Sequence, residues 1–151
     1  MNSTATPALY GAWTLDPQLT RDTVAVGDLP LARVLLMNDA NFPWLIVVPR
    51  HPGAVEIFDL DADQRAQLMR EVALLAQHLK EMTGCHKINI AAIGNVVSQL
   101  HVHVVARRRD DPAWPRPVWG ALPARPYAGA ERDGAERDQL IEALRRQIDF
   151  I

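Results

Sequence analysis

The sequence predicts an α+β domain, an antiparallel sheet of about five strands with one long helix and a C-terminal helix. Three observations carry this. Short apolar or alternating segments, each bounded by turn residues, recur through the first half of the chain. A single long amphipathic segment interrupts them, and a second closes the chain. Strand-like and helix-like periodicities that are segregated in this way belong to mixed layers rather than to a βαβ repeat.

The elements follow in order. Asp16-Pro17 has the pattern of an N-cap followed by proline at the first helical position, and opens a short helix to about Arg21. Thr23 to Val26 alternates weakly as a strand, and Gly27-Asp28-Leu29-Pro30 is a turn. Arg33–Met37 and Trp44–Val48 are apolar strands joined by a short turn, so an antiparallel hairpin is the natural pairing. Asp61 and Gln64 form a capping-box pattern. Leu68, Val72, Leu75 and Leu79 then make one apolar stripe, and Gly84 suits the C′ position. Lys87–Ile93 and Val96–Ala106 read as a second hairpin about Gly94-Asn95. Five prolines and two tryptophans between Pro112 and Pro126 exclude regular structure, yet the indoles argue for a packed tail along the body or across a neighbouring subunit. Glu136–Ile148 is a final amphipathic helix. Residues 1–120 are expected to form the principal domain. Residues 121–151 are expected to be an extension packed on it.

Composition narrows the class. The 151 residues are 48% hydrophobic and 23% charged with a net charge of −2, so nothing points to nucleic acid or a membrane. No apolar run approaches the ~20 residues of a membrane span. Met1–Tyr10 lacks the pattern of a signal peptide. A single cysteine excludes an internal disulfide framework, and a cytoplasmic location is expected.

The chemistry concentrates in Gln99-Leu100-His101-Val102-His103-Val104-Val105. Strict alternation predicts a half-buried strand with Gln99, His101 and His103 on one face and Leu100, Val102 and Val104 in the core. Side chains two apart lie roughly 6.6 Å apart along a strand, close enough to address one phosphate-sized group. The residues alone leave three readings open: a polar surface, a metal pair, or a phosphate site. A metal needs further ligands, and His51, His78, His86 and Cys85 make no recognised spacing with the pair.

The stretch resembles the histidine triad (HIT) motif, His-φ-His-φ-His-φ-φ with φ apolar, with Gln99 in place of the first histidine. The similarity extends over roughly residues 10 to 120 and includes Met37-Asn38-Asp39, Val48-Pro49-Arg50, Asn89, Gly94-Asn95-Val96-Val97, Arg107 and Pro117-Val118-Trp119-Gly120, the last resembling the tail of one bacterial branch. The resemblance implies a nucleotide hydrolase or nucleotidyl transferase acting at an α-phosphate, without a metal or cofactor, and a homodimer that extends the sheet. It implies that His101 is the nucleophile, that His103, the third histidine, contacts the phosphate, and that Gln99 takes the place of the first histidine of the catalytic set. Asn38 falls near the residue that binds ribose hydroxyls. Asn89 and Asn95 match polar positions of the phosphate pocket, and Arg107 with its basic neighbours would attract a phosphate chain. The family often has Ser or Thr after the Asn95 position, where this chain has Val96. An amide cannot shuttle a proton, so a nucleotide-binding module with little catalysis is the rival expectation. His51 could compensate near the site. Phe42, Trp44 and Phe58 are candidates for stacking on a base, and Trp119 is the tail residue with most to contribute.

Overall fold

A computed structural model describes residues 12–127 and 132–151. The chain runs α1 (Pro17–Asp22), β1 (Thr23–Asp28), β2 (Ala32–Met37), β3 (Trp44–Pro49), α2 (Ala62–Thr83), β4 (Lys87–Ala91), β5 (Val102–Arg107) and α3 (Arg132–Gln147), with a short 3₁₀ turn at Ile57–Asp59. The five strands form one antiparallel sheet in the order β1-β2-β3-β5-β4. This is the α+β architecture expected from the sequence. The N-terminal segment Met1–Tyr10 lies outside the described residues.

Each face of the sheet has its own core. Val34, Leu36, Leu45, Val47, Val102 and Val104 meet Leu68, Val72, Leu75 and Leu79 of α2 and Ile141 and Leu144 of α3. Asp61 caps α2 through a reciprocal bond with Gln64, and Gly84 ends it at φ 62°, where a side chain would be strained. The buried Glu71 carboxylate accepts the backbone N–H groups of Leu31 (2.8 Å) and Ala32 (2.9 Å), fixing α2 to the β1–β2 turn. At the β1 edge, α3 covers a bulge, where Arg145 Nε donates to the Val26 carbonyl at 2.8 Å. On the opposite face Leu35, Trp44, Ile46, Val48 and Val105 are covered by Leu19 of α1, by Val97, and by Ala113 and Val118 of the proline-rich tail.

Two expectations for the histidine strand change. It begins at Val102 rather than near Val96, and it is buried on both faces rather than one. The ladder stops where the neighbours stop. Ala91, the last residue of β4, pairs with His103, and β3 ends in Pro49, which has no N–H to donate. Leu100 is held instead by the loop after β3, its N–H donating to the Ala54 carbonyl at 2.9 Å. The last helix begins at Arg132, four residues before its expected start.

Candidate functional site

The side of the sheet that carries the histidines holds a cleft of about 470 Å³. Its floor is Trp44, Ile46, His101 and His103. The Ile93–Val97 loop, α1 and the tail around Trp119 make the walls. Strand alternation puts His103 beside Ile46, and the turn of chain before β5 brings His101 to the same side. The two imidazoles meet edge to face, with ring centroids 4.8 Å apart. Both are buried.

The two rings are fixed in opposite tautomers. His101 Nδ1 lies 2.7 Å from the backbone carbonyl of Gln99. A carbonyl can only accept, so Nδ1 carries a proton, and in the neutral ring the lone pair is on Nε2. Trp44 Nε1, which can only donate, lies 3.0 Å from His103 Nδ1. The proton of the neutral His103 ring is therefore on Nε2. Burial, with His101 alongside, pushes the His103 pKa down to about 4 and keeps it neutral at pH 7. Trp119 completes an aromatic cluster, 5.4 Å from His103 and 6.0 Å from Trp44 between ring centroids. Its indole N–H has no hydrogen-bond partner among the described residues. A site with a lone-pair nitrogen beside a neutral N–H donor can attack an electrophile and stabilise the oxygen that gains charge.

Of the residues expected at the site, His101, His103 and Asn95 line the cleft. Four do not. The Gln99 side chain is engaged by Thr14 and Asp16. Asn38 accepts the Tyr127 N–H at 3.0 Å, and its neighbour Asp39 lines the cleft instead. Asn89 and Arg107 are bonded to each other, Arg107 Nη1 donating to Asn89 Oδ1 at 2.8 Å. Arg107 is 1% exposed, pairs with Asp111 at 2.7 Å, donates to the Arg116 carbonyl and lies over the rings of Phe42 and Trp114. Burial alone would raise the Asp111 carboxyl. Hydrogen bonds from Arg107 and the Ala113 N–H, and the Arg107 charge, outweigh it and hold the carboxyl low. This arginine anchors the tail and is not exposed to a phosphate chain.

Of the stacking candidates Trp44 lines the cleft, Phe42 is core and Phe58 is 76% exposed. His51 is not among the lining residues. Gln18, Asp22 and Asp39 do line it, and sequence reasoning missed them. Asp39 was within reach, one position from Asn38. Gln18 and Asp22 sit in a short helix with no motif of their own. Among the described residues, no three His, Cys, Asp or Glu side chains converge as a metal site, and no helix is long and apolar enough to cross a membrane.

Comparison with known proteins gives one family. The HIT domain model matches residues 18–110. A histidine triad protein from Bradyrhizobium japonicum is 53% identical, with TM-score 0.86 over 91% of this chain and 98% of the other. A HIT protein from Sinorhizobium meliloti is 43% identical, with TM-score 0.85 over 91% and 98%. One from Marinobacter aquaeolei is 40% identical, with TM-score 0.83 over 89% and 94%. No curated protein matches the chain.

Proposed function

The chain belongs to the HIT family, generally nucleotide-binding hydrolases and transferases, and from that premise we propose that it cleaves nucleotides at the α-phosphate through a covalent intermediate on His101. The observation that carries the proposal is the opposed pair of tautomers. The Nε2 lone pair of His101 attacks the α-phosphorus while the bond to the bridging atom breaks. The leaving group departs with that electron pair and takes up a proton. Water then attacks the nucleotidyl-histidine, the P–N bond breaks, its electrons return to Nε2, and the nucleoside monophosphate leaves. His103 donates Nε2–H to a phosphoryl oxygen as charge develops, and Asn95 adds a second donor.

The nucleoside end belongs to the apolar part of the cleft. In this reading the Asp39 carboxylate, which lines the cleft and accepts the N–H groups of Asn41 (3.0 Å) and Arg125 (3.2 Å), also accepts ribose hydroxyls. The reading also includes a homodimer. β4 is an edge strand with Ile90 50% exposed, and Ile93 and Val96 beyond it are exposed as well.

The test is incubation of the purified protein with diadenosine tetraphosphate and with adenosine phosphoramidate, with His101→Asn alongside. Release of AMP should fall at least about 10⁴-fold in the variant, as expected for loss of a nucleophile, while the circular dichroism spectrum is unchanged. Equal release by the two proteins would overturn the assignment of His101. Nucleotide binding without release from either substrate would establish a binding module. Light scattering after size exclusion reads the dimer.

A further inference from the structure

Gln99 fills the position that the motif spacing gives to a catalytic histidine, yet it is not among the residues that line the cleft, and both polar atoms of its side chain are taken by the N-terminal segment. Its amide Oε1 accepts the Asp16 N–H at 2.9 Å, and its Nε2 donates to the Thr14 carbonyl at 2.9 Å. These are the two bonds that one backbone residue makes to the flanks of its partner in a parallel ladder. A primary amide reproduces that pair because it holds a donor and an acceptor side by side on one carbon. A carboxylate lacks the donor. An imidazole separates its two nitrogens across a ring.

The segment it holds leads into α1. The Asp16 side chain caps this helix, accepting the Gln18 N–H at 2.7 Å. The six residues of α1 are too few to persist as an isolated helix in water. The helix is fixed at its start by Gln99, at its middle by buried Leu19, and at its end by the Asn38 N–H donating to the Asp22 carbonyl at 2.9 Å. Gln18, Leu19 and Asp22 of this helix line the cleft. The backbone carbonyl of the same Gln99 orients His101.

We infer that Gln99 is a positioning residue whose side-chain amide clamps Thr14–Asp16, fixes α1 as a wall of the nucleotide cleft, and so sets affinity for the nucleoside while His101 and His103 perform the chemistry. The inference rests on the functional reading above. It makes the glutamine a structural adaptation to the N-terminal wall rather than a decayed catalytic group.

Gln99→Glu and Gln99→Leu test it in the full-length protein, with three measurements: amide hydrogen exchange over residues 17–22 without ligand, AMP binding by calorimetry, and KM with kcat for the hydrolysed substrate. Exchange over α1 should quicken, AMP should bind about tenfold more weakly, and KM should rise accordingly while kcat falls less than about threefold, the size expected for losing one or two hydrogen bonds. Gln99→His should likewise weaken binding and should not raise kcat. Unchanged exchange in both substitutions would overturn the clamp. So would a kcat loss of about 10²-fold at constant KM and constant exchange, which would make the amide a donor to the phosphoryl group. A wild-type protein that neither binds nor hydrolyses nucleotide would overturn the functional reading and the affinity claim, while the exchange measurement would still decide the clamp by itself.

Discussion

The two faces of the sheet are closed by different physics. On one, α2 and α3 lay periodic apolar stripes over Leu36, Leu45, Val47, Val102 and Val104, and the contact is mainly hydrophobic area, with Glu71 and Arg145 pinning the helices to the backbone beside it. On the other, the same strands turn out Trp44, His103 and Arg107, and the cover is α1, a loop and a proline-rich tail. Irregular chain cannot satisfy its own backbone, so that face carries the specific polar bonds: Gln99 to residues 14 and 16, Arg107 to Asp111 and Arg116, and Trp44 to His103. A face closed mainly by area, its polar groups spent on fixing helices to the sheet, offers nothing to react. The face closed by polar bonds around an open cleft is where groups can be held in one tautomer and still reach a ligand.

The comparison predicts two kinds of stability loss. Arg107→Met should cost about 3 kcal/mol, the low end for breaking a buried pair, because the half-buried Asp111 loses its cation but keeps the N–H groups of Ala113 and Arg108. Leu75→Ala on the helical face should cost about 2–5 kcal/mol through the cavity it opens. Urea unfolding as a function of pH separates them. The Arg107→Met loss should shrink once Asp111 is protonated in acid, and the Leu75→Ala loss should not. Equal pH dependence would break the distinction between the faces.

His103 sharpens it further. Its pKa is lowered from 6.5 to about 4 in the folded protein, so between these values the unfolded chain binds the extra proton. Its contribution is complete above pH 6.5 and is lost as pH falls toward 4. The total is about 3 kcal/mol. The fall in unfolding free energy between pH 7 and pH 4 should be smaller by about that amount in His103→Gln than in the wild type. Identical slopes would mean that burial does not hold this ring neutral.

The same contrast governs what could be read in advance. Helix α2 was legible to its caps, because an apolar stripe, a capping box and a terminal glycine are local signals. The pair His101 and His103 was legible through alternation and motif. Residues that act through long-range bonds were not. Nothing local tells that the Arg107 guanidinium turns inward to Asn89, 18 residues before it, or that the Gln99 amide reaches back to Thr14 across 85 residues of sequence. The motif placed Gln99 by spacing, and spacing is blind to a side chain whose partner is an irregular segment. Asp22 and Gln18 were missed for the same reason, since a six-residue helix has no period long enough to show which face it presents.

The smallest expected effect is the most specific to the histidine face. Trp44→Phe keeps an aromatic ring beside Phe42 and Trp119 but removes the indole N–H together with part of the bicyclic ring. His103 Nδ1 then loses the donor that fixes its tautomer, and the ring is free to place its proton on either nitrogen. In the proposed reaction only the form with Nε2–H serves the phosphoryl oxygen. kcat/KM should fall about tenfold, the worth of roughly one hydrogen bond. The nitrogen chemical shifts of His103 should move from one tautomer toward a mixture. A packing role for Trp44 predicts a stability loss with the His103 shifts unchanged. Altered shifts, whatever stability the smaller ring costs, would instead show that this indole acts on the site through the proton of its neighbour.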